Sequence, residues 1–473
     1  MESGTGPGLI EGLSRNILET RFEQIDPVTL DNARLRLLDT LGGALGGPTL
    51  PDIAGLVRLV QDWGGAPQAS ILGYGTRVPV QHAALVNCTM CRAFDRGPLA
   101  YVFKGKIVPN HISETTVLTA LALAEYRRVD GRELIAAMVL GDDLAARLHL
   151  AKDHPLPGEF NARETSAPPR PFEPGVQTTA FGAAAIAGRL LGLSLRQMQN
   201  ALGLVGNSDC FAGGIWDGAP TFKIGQGTAA FVGIVAAQLA QVGWTGLLDP
   251  LFDPRGGFFR RGCDHPELLS EGLGQKFFVE GLFKPYPGGG PTQAPTAAAI
   301  LLHTHYNLKA EDIEEAVLRT SPGVNTGLHY ARPYKVGDYP TGDALFSYKY
   351  AVANGLARGS ATNRDYTAES VRDPAVQALI GRTRLALAEF PRSEGVELEV
   401  RLKDGRRLSQ YVLQPQGTPD KPLPRETLLG KFREQANFGG MLRPAAVEQL
   451  IQLLERPEEM RDVRDLVRLA VRE

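Results

Sequence analysis

Four segments, 115–126, 131–150, 179–191 and 225–242, are apolar nearly all round and rich in alanine and glycine. A helix with no polar face has nothing to offer water, and small residues let neighbouring axes approach closely, so these segments predict a buried helix-on-helix core. They do not predict a membrane protein. Apolar stretches such as Phe231–Leu239 fall well short of the ~18 to 20 residues a span needs, and Gln238 and Gln241 interrupt them. Asp26-Pro27 adds an N-cap with proline at the first helical position, followed by Val28, Leu30, Leu35, Leu37, Leu38 and Leu41 at helical spacing up to Gly42-Gly43.

The chain changes character twice. Residues 153–175 carry Pro155, Pro157, Pro168, Pro169, Pro171 and Pro174, which forbid regular structure and mark a long loop of the kind that often covers an active site. Near Lys284 a Lys-Pro-Tyr-Pro-Gly-Gly-Gly-Pro run ends the helical region and leads into a helix over 293–305. Residues then alternate over 313–320 and 396–413, the latter reading as a hairpin turning at Asp404-Gly405. Helical periodicity returns at 428–432, 446–454 and 463–471, which predicts that the last helices rejoin the first bundle. The fold class is therefore mainly α, with a smaller α+β part.

Across 473 residues, 50 Lys+Arg against 52 Asp+Glu leave a formal charge of −2 with no basic block, which argues against a nucleic-acid partner. Four cysteines cannot make a disulfide framework, and the first residues lack the basic-then-apolar pattern of an export signal, so a cytoplasmic protein is expected.

No dinucleotide fingerprint, P-loop, nucleophile elbow or HExxH zinc motif is present. Cys88-Thr-Met-Cys91 has redox or metal spacing but no second pair at a zinc interval, so two buried thiols are expected; an iron–sulfur site would need Cys210 or Cys263 to join them. His111 and Glu114 stand one helical turn apart, as in some metal sites, although a helix-start hydrogen bond explains the pattern equally well. Asp143 and Arg147, four apart, read as a structural pair beside Asp142. More informative are Asp95, His111, Lys223 and Lys284, polar residues in apolar or glycine-rich surroundings at the ends of elements, Lys223 just before the helix from Gly225. Each alone reads as a surface or capping residue; together they point to a site.

The ordered series of motifs resembles the MmgE/PrpD family along nearly the whole chain. It runs through Leu38-Asp39-Thr-Leu-Gly-Gly, Asn87 with Asp95, His111-Ile-Ser, Gly141 with Arg147-Leu148, Phe181-Gly182-Ala-Ala-Ala and Arg189-Leu-Leu-Gly-Leu. It continues with Lys223 and Gly227-Thr-Ala-Ala, Gly256-Gly257-Phe258, Lys284-Pro-Tyr-Pro, Ala344-Leu-Phe-Ser347 and Lys431-Phe432. The resemblance implies an all-helical domain from residues 1–272 and 418–473, an α+β lid over 273–417, and a homodimer. It further implies a cleft between them that acts on small di- and tricarboxylates without metal or organic cofactor, with Asp95, His111 and Lys223 on the helical side and Lys284 at the hinge.

Three departures from the family pattern stand out. Arg96, Gly97 and Pro98 replace aspartates after Asp95 and are followed by extra residues; Glu173 replaces a histidine, and Gln293 replaces another. The reading that follows assigns catalysis to Asp95, His111, Lys223 and Glu173, and substrate binding to Lys284, Gln293 and Lys104, with Lys106 as a further cation. Three functions remain open: a lyase acting by dehydration or decarboxylation after proton abstraction beside a carboxylate, an epimerase using two bases, and a non-catalytic relative.

Overall fold

The computed structural model describes residues 7–103, 106–152, 176–206, 208, 219–260, 262–279, 281–321, 329–392 and 395–472. Among the described residues the helices of the first part are α1 (Pro7–Glu19), α2 (Pro27–Leu45), α3 (Pro51–Trp63), α4 (Val80–Cys91), α5 (Ser113–Arg127), α6 (Gly131–Ala151), α7 (Val176–Leu191), α8 (Leu195–Val205) and α9 (Thr221–Gln241). The N-cap read at Asp26 is present, its carboxylate accepting from Thr29 N at 2.9 Å. The four apolar segments become α5, α6, α7 and α9 and pack against one another, α7 lying between α6 and α9. Small residues set that packing. A Cβ on Gly141 would meet Ile186 at 2.4 Å, and one on Gly233 would meet Ala183 at 2.6 Å. No helix among the described residues is long and apolar enough to cross a membrane.

Two short antiparallel pairs interrupt the helices: β1 (Ala69–Ser70) with β2 (Arg77–Val78), and β3 (Ala100–Phe103) with β4 (Lys106–Pro109). The second pair is the extra segment before His111. Residues 153–175, with Glu173, lie outside the described residues, as do Lys104 and Cys210.

The α+β part begins with α10 (Gln293–Tyr306) and holds a sheet of β5 (Ile313–Thr320), β6 (Thr383–Leu387), β7 (Val396–Leu402) and β8 (Arg407–Val412) in the order β6-β5-β7-β8. β5 pairs parallel with β6 and antiparallel with β7, and β7 and β8 form the hairpin read from the sequence, with Gly405 at φ 88° in its turn. Val396, Leu398, Val400 and Leu402 point inward onto α10, as strict alternation requires. The intervening helices are α11 (Pro340–Leu345), α12 (Tyr348–Arg358), α13 (Ala368–Val371) and α14 (Pro374–Arg382).

The chain closes with α15 (Arg425–Gly439), α16 (Pro444–Glu455) and α17 (Arg464–Leu469). α15 packs on α2, where Gly42 accommodates Phe432 and Gln435, and Lys431 Nζ reaches Asp39 Oδ1 at 2.6 Å. Another seam lies at Gly131, where a Cβ would stand 1.6 Å from the Pro457 carbonyl oxygen. Gly131→Ala is expected to lower stability by about 1–3 kcal/mol, because backbone rather than a pliable side chain must move. A denaturant midpoint equal to that of the wild type would show that this seam yields freely.

Candidate active site

The site is built around one strained turn. Helix α4 ends at Cys91, a 3-10 turn follows over Arg92–Phe94, and Asp95 closes it with φ 48° and ψ 48°. It is one of three non-glycine residues at positive φ among the described residues. An aspartate held there costs energy that the surroundings must supply, and such positions concentrate at functional sites. The left-handed turn directs the Asp95 carboxylate inward, where it is 1% exposed.

Lys284 meets it there. Its ammonium nitrogen lies 2.5 Å from Asp95 Oδ1, donates to the Asp95 backbone carbonyl and reaches Gly288 O at 3.3 Å. The Lys-Pro-Tyr-Pro-Gly-Gly-Gly run is what carries it in. Gly288, at φ 103°, donates to Phe94 O at 3.0 Å, and a Cβ on Gly289 would collide with the Tyr330 hydroxyl at 1.9 Å. Gln293 braces this turn: Oε1 accepts from Tyr286 N at 3.2 Å, and Nε2 donates to Tyr286 O at 3.1 Å and Gly288 O at 3.3 Å. The amide expected to bind substrate is engaged with backbone.

His111 enters from the start of α5. Its backbone N donates to Asn110 Oδ1 at 2.7 Å, and its carbonyl accepts from Gln226 Nε2 of α9 at 3.2 Å. The ring places Nε2 3.8 Å from Asp95 Oδ1 and Nδ1 3.6 Å from Glu114 Oε2. Its side chain is 20% exposed, against 7% or less for Arg92, Asp95, Glu114 and Lys284, so solvent reaches this cluster through His111.

Two members lie outside the residues assigned from the sequence: Arg92, which it did not single out, and Glu114, noted only for its spacing from His111. Glu114 is fully buried and lies against Gly97, whose missing Cβ would stand 2.5 Å from Glu114 Oε1. Arg92 pairs through Nη1 with Asp95, approaches His111 Nδ1 at 2.6 Å and stands 3.2 Å from Glu114 Oε2. The i,i+3 spacings Arg92–Asp95 and His111–Glu114 carried the signal, but a charged residue beside apolar neighbours looks the same in sequence whether it faces the core or the solvent.

Burial dominates the electrostatics. It pushes His111 well below the usual histidine value, helped by the charges of Arg92 and Lys284. It lowers Lys284 against the attraction of Asp95, and raises Glu114 toward its neutral form despite Arg92. Arg92 and Lys284 thus stand beside Asp95 and Glu114, two basic groups and two acids gathered in one buried cluster next to His111. Asp95, His111 and Glu114 each present a ligand atom within 4.8 Å of the others, a spacing compatible with a cation. Arg92 Nη1 already touches all three, so a metal would have to displace the guanidinium.

Lys223 sits apart from this group. Helix α9 starts at Thr221, four residues earlier than read, so Lys223 lies inside its first turn rather than before it. It is 1% exposed, pairs with Asp52 of α3 and donates to the Tyr339 hydroxyl at 2.8 Å. The neighbouring Phe222 connects the two groups, with its ring 6.0 Å from the Arg92 guanidinium and 6.5 Å from the Tyr339 ring. Asp95, His111 and Lys284 thus converge, and Lys223 lines the adjoining ion pair. The structural readings hold elsewhere: Arg147 bonds Asp143 at 2.8 Å, and Cys88 and Cys91 are free, buried thiols.

The fold is mainly helical with a small mixed sheet, and its buried cluster of acidic and basic side chains is assembled from the end of α4, the start of α5 and the turn that precedes α10. The chain belongs to the MmgE/PrpD family: the MmgE/PrpD N-terminal domain matches residues 11–269 and the MmgE/PrpD C-terminal domain residues 286–455. It is 29% identical to cis-aconitate decarboxylase of Mus musculus over 427 residues, covering 83% of this chain and 79% of that protein. It is 27% identical to cis-aconitate decarboxylase of Homo sapiens over 459 residues, covering 92% and 88%. A cis-aconitate decarboxylase-like protein of Aspergillus oryzae is 22% identical over 449 residues, covering 89% of each.

Proposed function

We propose that this protein is a lyase that decarboxylates a small tricarboxylate of the cis-aconitate type without a cofactor. The observation that carries the reading is the Arg92–Asp95–Lys284–His111 cluster. Losing carbon dioxide from a carboxylate leaves an electron pair on carbon, and fixed positive charge at a neighbouring carboxylate stabilises it where water cannot. Lys284 and Arg92 supply such charge beside His111, the cluster's solvent-reached acid–base group. Lys223, released from Asp52, serves a second carboxylate of the substrate. The names of the mouse and human relatives support decarboxylation over dehydration. Positioned acid–base groups contribute about 10²- to 10⁴-fold, the order expected of His111.

The test is a panel of citrate-like and succinate-derived acids, cis-aconitate among them, incubated with the full chain in deuterated water and followed by NMR. Expected is release of carbon dioxide with one solvent deuterium in the product, unaffected by chelator. Loss of water instead would make it a dehydratase, and deuterium uptake without elimination an epimerase. No change across the panel would leave a non-catalytic relative. Activity abolished by chelator and restored by a divalent ion would refute the cofactor-free part.

A further inference from the structure

Two groups compete for one nitrogen of His111. Glu114 Oε2 stands 3.6 Å from Nδ1 and Arg92 Nη1 stands 2.6 Å from it. A carboxylate can only accept a proton from Nδ1, and a guanidinium, which has five N–H donors and no acceptor, can only donate one to it. The two partners therefore demand opposite tautomers. A separation of 3.6 Å is beyond a hydrogen bond and 2.6 Å is well within one, so the arginine prevails. The two hydrogens of Nη1 go to its two nearest acceptors, Asp95 Oδ1 and His111 Nδ1, which leaves Glu114 at 3.2 to 3.4 Å.

We infer that Arg92 is a positioning residue that fixes neutral His111 with its proton on Nε2, so that the imidazole donates a proton to the reaction and does not abstract one. On the other side of the ring Nε2 faces the Asp95 carboxylate at 3.8 Å, a group that takes a proton and has none to give. In the more familiar arrangement a carboxylate on Nδ1–H makes Nε2 a base. Here Glu114 is in place for that role and Arg92 stands between.

The inference rests on the decarboxylase reading for its chemical consequence. The bond from carbon to the departing carboxylate breaks, its electron pair stays on that carbon and spreads toward a neighbouring carboxylate, and carbon dioxide leaves. His111 Nε2 gives its proton to the carbon and recovers one from water, which is left as hydroxide. The Arg92 hydrogen bond at Nδ1 stabilises the ring while it is short of that proton. A role for His111 as the base that abstracts a proton through Nε2 would need the opposite tautomer.

The experiment is nitrogen NMR of histidine-labelled protein without substrate near neutral pH, with His111 assigned by its absence in His111→Gln. Expected is an unprotonated, pyridine-type Nδ1 and a protonated, pyrrole-type Nε2 in the wild type. Arg92→Lys, which keeps a donor-only group, is expected to retain that pattern. Arg92→Met frees Nδ1 for Glu114 and is expected to reverse it, with carbon dioxide release falling about 10²-fold or more. A protonated Nδ1 in the wild type overturns the proposal, and so does an unchanged pattern in folded Arg92→Met. Should that variant not fold, the wild-type and Arg92→Lys spectra decide alone. Because the tautomer is read without turnover, a correct spectrum beside an inert substrate panel would refute the decarboxylase reading and leave the role of Arg92 standing.

Discussion

Asp95→Asn is expected to reduce turnover by about 10²- to 10³-fold, the effect of losing one electrostatic element of an organised site, and also to weaken the fold. Asp95 is 1% exposed and accepts from both Arg92 and Lys284, so the amide leaves two buried cations facing only Glu114. Removing one member of a buried ion pair costs about 3–5 kcal/mol, because the remaining charge is neither solvated nor compensated. Burial of both cations therefore argues against a variant that folds as well as the wild type. A double-mutant cycle separates the effects. Adding Lys284→Met to Asp95→Asn removes the orphaned ammonium and is expected to restore part of the lost stability without restoring turnover, with a coupling of about 0.5–3 kcal/mol. Strictly additive losses in stability would mean that the two side chains are independent, and wild-type turnover in Asp95→Asn would remove this residue from the site.

Helices α5, α6, α7 and α9 could be read from the sequence because alanine- and glycine-rich segments that are apolar nearly all round over three or more turns report burial directly. The β7–β8 hairpin was equally plain, since alternating valine and leucine around Asp404-Gly405 leaves few other solutions. Strand β6 was missed. It lies at the edge of the sheet in parallel pairing with β5, and its Thr383–Leu387 run has no clean alternation of buried and exposed residues. The start of α9 was placed at Gly225, where the run of small and apolar residues begins, whereas Pro220, with its φ near −65°, had already begun the turn. Among site residues, Asp95, His111 and Lys284 were identified by unusual surroundings. Glu114 was noted only for its spacing from His111, and Arg92 not at all, because what brings the two together is their contact across the turn after α4 and the start of α5.

Arg96 was likewise read only as a departure from the family pattern, and the structure gives it a mechanical task. Its guanidinium donates twice to the Pro285 carbonyl, at 2.9 and 2.6 Å, approaches Asn363 Oδ1 at 3.3 Å and pairs with Glu434 of α15. Its own carbonyl accepts from Lys431 Nζ at 2.7 Å, and Lys431 in turn holds Asp39 of α2. Pro285 adjoins Lys284, so the Arg96 side chain fixes the lysine-bearing turn to α15, while its backbone carbonyl meets the Lys431–Asp39 pair that joins α15 to α2. Arg96→Met is expected to cost about 3–5 kcal/mol, the charge on Glu434 being left partly buried, and to lower kcat/KM by about 10²-fold through misplacement of Lys284. The loss should exceed that in Glu434→Gln, which keeps both bonds to Pro285. Equal losses in the two variants would assign the effect to the ion pair and not to the hold on the turn. A larger loss in Arg96→Met would show that Arg96 contributes the ångström-scale placement on which the charge at Lys284 depends.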